Sequence, residues 1–141
     1  GYWKTYYTSS VLRSEGNRKD FMLDSLWKFY GKGGELTLEI NYKNGKKEGI
    51  KKTYNKNKIL TLKENFIIDL RQGMSTYYYE KGNIYKTINF LDGKRKGKSI
   101  EYSEEGLKII LLEYENDRIE IIEDYMGDDA EFTVYFYKEN E

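Results

Sequence analysis

The sequence contains no cysteine, no histidine and no proline among its 141 residues. The absence of cysteine and histidine excludes disulfide bonds, thiolate nucleophiles, imidazole bases and the common zinc and copper ligand sets. Catalysis by paired carboxylates would need a concave site with perturbed pKa values, and no motif in the sequence points to one. We therefore predict a protein that is not an enzyme and has no catalytic residues, no metal site and no cofactor.

Net charge and long apolar runs are also lacking. The 24 basic and 24 acidic side chains cancel and are interspersed, so the chain has no field that would attract nucleic acid, and we predict no nucleic-acid partner. No run of 18 apolar residues is present, which predicts no integral membrane segment. Because the chain begins at Gly1 rather than methionine, we expect that a leader or a tag was removed. A leader would favour a secreted or cell-surface location over the cytoplasm.

Tyrosine and glycine are abundant, with 15 and 13 residues, and both recur with a period of 24 residues. Such a period is the signature of a repeat protein. The residues that repeat form three ladders: Tyr6, Tyr30, Tyr54, Tyr78 and Tyr102; Tyr42, Phe66, Phe90 and Tyr114; and Gly49, Gly73 and Gly97.

Within a repeat, apolar and polar residues alternate, as in Leu36 to Tyr42, which predicts a strand with one buried face. A shorter strand precedes each of these, for instance Leu26 to Tyr30, so one repeat corresponds to two strands. The predicted fold is all-β: tandem β-hairpin repeats that form one elongated, twisted or curled antiparallel sheet. A single sheet must still cover its apolar face, and we expect either a curl or a homodimer to do so.

The predicted domain organisation is a single repeat domain over residues 1–141. Its repeats span approximately residues 2–25, 26–49, 50–73, 74–97, 98–121 and 122–141, and the first and last are degenerate caps.

The glycines predict the turns and hence the strand register. Three of them, Gly34, Gly82 and Gly106, are expected to close a three-residue first turn in the left-handed conformation, which would place Tyr30 opposite Leu36. The second turn carries Asn44-Gly45, which favours a two-residue primed turn. We predict that Gly49, Gly73 and Gly97 form a one-residue bulge after this turn, so that the ladder tyrosines stay on the apolar face.

These features resemble the MORN variant repeat, the unit of the YwqK-type antitoxin family of bacterial proteins. The matching stretches are Trp27-Lys28-Phe29-Tyr30 with Gly34, residues 42–49 and residues 90–97; Arg18, by contrast, stands where an aromatic residue is expected. The resemblance implies a β-hairpin array without catalytic residues. Proteins with such repeats include scaffolds and antitoxins, so the resemblance specifies architecture better than function.

Strand parity separates a predicted core from a candidate binding face. The core comprises Tyr30, Tyr54, Tyr78, Tyr102, Tyr42, Phe66, Phe90 and Tyr114. The opposite face would present Trp3, Trp27, Phe29, Tyr77, Tyr79 and Tyr85, which could stack on sugars or anchor a protein, or could only pack on neighbouring strands. The acidic turn Asp128-Asp129-Ala130-Glu131 and the basic tip Lys94-Arg95-Lys96 are expected to be solvated turns.

The predicted function is a non-enzymatic protein-interaction module, bacterial and either secreted or on the cell surface. One alternative is an antitoxin or immunity protein that neutralises a partner toxin by binding it, as the resemblance allows. A second alternative is a carbohydrate-binding repeat protein that uses the aromatic face. A protein partner is expected in the first two cases, and its identity does not follow from the sequence.

Overall fold

The computed structural model describes residues 1–125 and 133–136, and these residues form only β-strands and turns. They contain no helix long and apolar enough to cross a membrane. The predicted all-β class, built from consecutive antiparallel hairpins, is confirmed.

The chain divides into two compact units, Gly1–Leu70 and Arg71–Glu141, and the two-residue strand β7 (Leu70–Arg71) spans the boundary. The prediction of a single domain over residues 1–141 stays a prediction. The strands of each unit pair in sequence order. The first unit contains β1 (Tyr2–Tyr6), β2 (Leu12–Lys19), β3 (Met22–Tyr30), β4 (Leu36–Lys43), β5 (Lys46–Tyr54) and β6 (Leu60–Ile67). The second contains β8 (Gly73–Tyr78), β9 (Ile84–Leu91), β10 (Lys94–Tyr102), β11 (Lys108–Glu115), β12 (Arg118–Asp124) and β13 (Thr133–Phe136).

The first turn of each repeat follows the predicted geometry. Gly34 has a φ of 88°, and the Gly31 N–H donates to the Glu35 carbonyl, which leaves a three-residue loop. Tyr30 pairs with Leu36, as expected.

A bulge that the glycines do not signal follows this turn. Phe29 pairs with Leu38 rather than with Thr37, so Thr37 is an extra residue in β4. The same register shift occurs at Tyr6, Tyr54, Tyr78 and Tyr102, so the backbone has the same 24-residue period as the sequence.

This first bulge reverses the predicted assignment of the two faces. Because of the extra residue, Phe29 and Trp27 lie opposite Leu38 and Ile40, on the face we call the apolar face of the first unit. Tyr30 therefore points to the other side of β3, and its hydroxyl donates to Glu15 there. The prediction that Tyr30 and its repeats share the apolar face was wrong. It assumed that side chains alternate between the two faces without interruption after the turn, whereas the extra residue Thr37 reverses the alternation.

The second turns are primed turns, as predicted for Asn44-Gly45. Lys43 pairs with Lys46, and the two turn residues have φ angles of 50° and 78°. The bulge that follows is larger than predicted. Three residues, Glu48 to Ile50, lie opposite the single residue Asn41, with Gly49 at a φ of 95°. The Asn41 side-chain amide donates to the Ile50 carbonyl at 3.0 Å and so links β4 to β5 across the bulge.

Long cationic side chains help to cover the apolar face. The Lys47 ammonium lies 5.0 Å from the centroid of the Phe66 ring, and Phe66 is only 4% exposed. In the second unit Arg95 lies 4.5 Å from the centroid of the buried Tyr114 ring. Lysine and arginine bury their methylene stems against a ring while the charged group stays in water. These rings are thus covered by side chains of their own sheet.

Candidate functional site

Trp27, a predicted member of the binding face, is part of the core. It is 2% exposed and lies directly opposite Gly16, where an added Cβ would come within 2.5 Å of the indole ring. The indole Nε1–H donates to the Asn17 carbonyl at 2.7 Å. A ring packed over glycine with its one donor satisfied has no free surface for a ligand, so the placement of Trp27 on a binding face was wrong and the alternative of packing against neighbouring strands applies to it.

Arg18, which stands in an expected aromatic position, organises the tryptophans of the first unit. Its guanidinium carbon lies 5.2 Å from the centroid of the Trp3 ring and 5.8 Å from that of the Trp27 ring. Phe29 packs beside Trp27 with 6.3 Å between ring centroids. Trp3, the outermost of the three rings, remains 47% exposed. The three predicted residues of this unit are therefore brought together, but mainly as core packing.

The other three predicted aromatic residues lie in the second unit. Tyr79 and Tyr85 contact each other edge to face, with their centroids 5.1 Å apart, and the Tyr79 hydroxyl donates to the Tyr102 carbonyl. Tyr77 is half-buried opposite Lys86. These contacts are cross-strand packing, which the sequence analysis gave as the alternative to ligand binding by these residues.

The opposite side of the first unit, which we call the charged face, carries rows of alternating charge across the strands. Glu15 lies opposite Lys28, which in turn lies opposite Glu39. Tyrosines of the ladder cap these acids: Tyr30 donates to Glu15 and Tyr54 donates to Glu39, both at 2.7 Å.

These hydroxyl–carboxylate pairs change the acidity of both tyrosines and of Glu15. Burial and the neighbouring carboxylates raise the pKa values of Tyr30 and Tyr54 to about 12. The hydrogen bond from Tyr30 is the largest cause that lowers the pKa of Glu15. Each pair is most favourable as a neutral phenol beside a charged carboxylate.

A shallow groove of about 280 Å³ opens on this charged face. It is lined by Leu26, Glu39, Asn41, Ile50 and Lys52. Leu26 and Ile50 are both partly exposed, and they occupy equivalent positions beside the second-turn bulges.

The second turns of the first unit carry exposed apolar residues that the sequence interpretation missed. Phe21 is 88% exposed and Ile68 is 57% exposed, at turn positions where other repeats have Gly45 and Asp92. Their φ angles are 64° and 47°, in the left-handed region. Alignment of Asp20-Phe21 with Asn44-Gly45 would have revealed the anomaly.

Three further apolar side chains, Met22, Ile67 and Leu70, are exposed next to these turn residues. Backbone hydrogen bonds link the successive turns: Gly45 N–H donates to the Leu23 carbonyl, and Asp69 N–H donates to the Lys47 carbonyl. We call Phe21, Met22, Ile67, Ile68 and Leu70 together the apolar turn edge.

Within residues 1–125 and 133–136, no group of three or more acidic side chains is placed to hold a metal ion. The acidic turn Asp128 to Glu131 lies outside the described residues. At the basic tip, Arg95 pairs with Asp117 at 3.1 Å and Lys96 pairs with Glu115 at 3.5 Å. The charge of this tip is therefore partly neutralised by its own hairpin neighbours.

No protein-family model and no curated protein matches the chain. Among solved structures, it is similar to a chain of the crystal structure of a GtfA/B complex bound to UDP and GlcNAc, at 16% identity and a TM-score of 0.34. The match covers 85% of this chain and 25% of that chain.

Proposed function

We propose that the chain is a non-enzymatic protein-interaction module whose contact surface in the first unit is the apolar turn edge. The observation that carries this proposal is the placement of Phe21 and Ile68, which are exposed apolar residues in left-handed turn positions.

Both residues are unfavourable choices for the folded state. A side chain other than glycine, asparagine or aspartate in the left-handed region costs about 1–2 kcal/mol, and a β-branched residue such as Ile68 is especially uncommon there. Exposure of a large apolar side chain adds nothing to folding. Positions that contradict the local rules of a fold are where function is expected.

The neighbouring residues support the same use of this edge. Met22, Ile67 and Leu70 add aliphatic surface beside the two anchors, while the turn between them, Asn44-Gly45, is small and polar. Aromatic and aliphatic anchors that project from a rigid scaffold are typical of protein-binding surfaces. The two anchor turns lie two repeats apart, which separates them by about 19 Å, at four strand spacings.

An antitoxin role, which the resemblance to the YwqK-type family suggests, is a special case of this proposal. Neutralisation by blocking is protein binding, and it would use the same exposed anchors. Carbohydrate binding is less well supported, because Trp27 is buried beside Phe29, and Tyr79 and Tyr85 pack against each other. A bacterial secreted or cell-surface location stays a prediction.

The test is capture of partners from the lysate and the culture supernatant of the native cell, with the immobilised chain as bait. The double variant Phe21→Gly/Ile68→Asn should lose the captured partner by more than about tenfold, as expected for anchor residues. It should also unfold at a higher urea concentration, because both substitutions relieve left-handed strain.

Lys58→Gly is the matched control. Lys58 has a φ of 62° in a first turn, so the substitution should stabilise the chain and leave capture unchanged. Equal capture by the wild type and the double variant would refute the proposal.

A further inference from the structure

One row of charged residues crosses the charged face of the first unit, and its sign pattern breaks at β6. Each strand contributes one residue to this row, in the order Lys4, Glu15, Lys28, Glu39, Lys52 and Lys63. The signs alternate over the first five positions, whereas Lys52 on β5 lies directly opposite Lys63 on β6. Like charges directly opposite each other destabilise an antiparallel pair. The fold alone therefore does not favour this pair of lysines.

The acid on the other side of Lys52 does not compensate for this repulsion. The Glu39 carboxylate is approached by the Lys28 ammonium at 4.0 Å and accepts a hydrogen bond from Tyr54 at 2.7 Å. Within residues 1–125 and 133–136, neither Lys52 nor Lys63 has a carboxylate oxygen within ion-pair distance. The two lysines thus leave uncompensated positive charge on this face.

The shallow groove of the charged face lies beside this positive charge, because Lys52 is one of its lining residues. Leu26 lies opposite Asn41, and the Asn41 side chain donates to the Ile50 carbonyl. The two aliphatic side chains therefore stand on either side of Asn41, and they are 41% and 40% exposed. The face combines a short apolar notch with two adjacent ammonium groups.

We propose that this groove binds an extended segment of a partner protein that carries an aliphatic and an acidic residue two positions apart. The aliphatic side chain lies between Leu26 and Ile50, and the carboxylate lies between Lys52 and Lys63. Ile50 and Lys52 are themselves two residues apart on one face, about 7 Å along the strand, which is the spacing of alternate side chains in an extended segment. The inference rests on the proposed protein-binding function and adds a second surface to it.

The dimensions and charge of the groove favour a protein side chain over a long alkyl chain. Its volume is about 280 Å³, and only Leu26 and Ile50 provide apolar walls. The Glu39 carboxylate borders the same groove, so a longer apolar chain would contact a charged group. An acid of the partner, by contrast, would offset the repulsion between Lys52 and Lys63.

The probe is the end-blocked peptide Glu-Thr-Leu-Thr-Glu, which offers an acid two positions from leucine in either chain direction. It is titrated into the isotope-labelled chain and followed by NMR. We expect saturable shifts of the backbone amide signals of Leu26, Ile50, Lys52 and Lys63. The control peptides Gln-Thr-Leu-Thr-Gln and Glu-Thr-Ser-Thr-Glu should each bind at least about fivefold more weakly, because one lacks the charges and the other lacks the aliphatic side chain.

Lys63→Glu should have opposite effects on binding and on stability. It should weaken the peptide at least about tenfold, because it replaces attraction of the ligand by repulsion. It should also raise the urea concentration at which the chain unfolds, because the charges of the row then alternate over all six positions.

Lys56→Glu is the matched control, since it makes the same change of charge at an exposed residue of a first turn. It should leave the affinity for the peptide within about twofold of the wild type, because a solvated charge away from the groove is screened. The inference is overturned by peptide shifts that do not saturate or by equal binding of the serine and leucine peptides. Equal weakening by Lys63→Glu and Lys56→Glu, or weakening by Lys63→Glu together with lower stability, would also overturn it.

The variant Phe21→Gly/Ile68→Asn separates this inference from the proposed function. It should bind the peptide as the wild type does while losing the captured partner. Loss of the captured partner without peptide binding by either chain would overturn the groove inference alone. Saturable peptide binding with equal capture by both chains would refute the apolar turn edge and leave the groove.

Discussion

At the residue scale, a missing side chain decides where the largest aromatic residue of the core lies. Gly16 does not belong to any glycine ladder of the sequence and has an ordinary strand conformation. Its role is to leave space for the Trp27 ring, which a Cβ would meet at 2.5 Å. The sequence reveals that Trp27 is large and apolar. Only the pairing of β2 with β3 reveals which glycine faces it, since their positions along the chain do not specify the cross-strand register.

The tyrosine–carboxylate pairs make stability depend on pH at the alkaline end. The folded pKa of Tyr30 and of Tyr54 is raised from about 10 to about 12, so their contribution is complete below pH 10 and is lost as the pH rises from about 10 to about 12. The double variant Tyr30→Phe/Tyr54→Phe should be less stable at neutral pH. It should also show a flatter decline of the unfolding free energy over that range, measured by urea denaturation.

Tyr6→Phe is the control for this experiment, because Tyr6 occupies the equivalent ladder position but is exposed. Its pH profile should match that of the wild type. If the unfolding free energy of the wild type and of the double variant declines in parallel, other groups control the loss of stability at alkaline pH.

At the element scale, the bulge after each second turn is the feature that the sequence predicted only in part. Glycine at position 49 signals the left-handed conformation, which Gly73 and Gly97 also adopt, with φ angles of 71° and 78°. The number of extra residues depends on how the facing strand resumes its pairing, with Asn41 bridging to the Ile50 carbonyl. The size of the bulge is thus a property of two strands together.

Two substitutions at equivalent bulge positions should have opposite effects. Gly49→Ala should destabilise the chain by about 1–2 kcal/mol, because the backbone there has a φ of 95°. Ser25→Gly should stabilise it by up to about 1 kcal/mol, because Ser25 has a φ of 62° at the corresponding position. Urea denaturation measures both. Destabilisation by both substitutions would contradict a purely conformational role for this position.

At the scale of the whole molecule, the main contacts of each strand within its unit are with its neighbours in sequence. Stability in such arrays is approximately a sum over repeats and their nearest-neighbour interfaces. Local damage should therefore remain local, in contrast to a protein with one central core.

Trp27→Ala tests this expectation. Loss of a buried tryptophan costs about 3–5 kcal/mol, and we expect amide hydrogen exchange to accelerate mainly in β2, β3 and β4. Exchange in β9 to β11, in the second unit, should change much less. Gly33→Ala, at an exposed loop glycine, serves as the control and should leave exchange in the strands nearly unchanged. An equal acceleration in both units would mean that the chain unfolds as one cooperative block.

The sequence by itself determined the all-β class, the 24-residue period and the handedness of the turns, because alternation and left-handed glycines act within a few residues. Tertiary structure decided which face each aromatic residue occupies. One extra residue after each first turn, such as Thr37, changes the face on which the later residues of that strand lie. No local conformational preference of threonine predicts this bulge. The burial of Trp27 and the hydrogen bond from Tyr30 to Glu15 both follow from that cross-strand register.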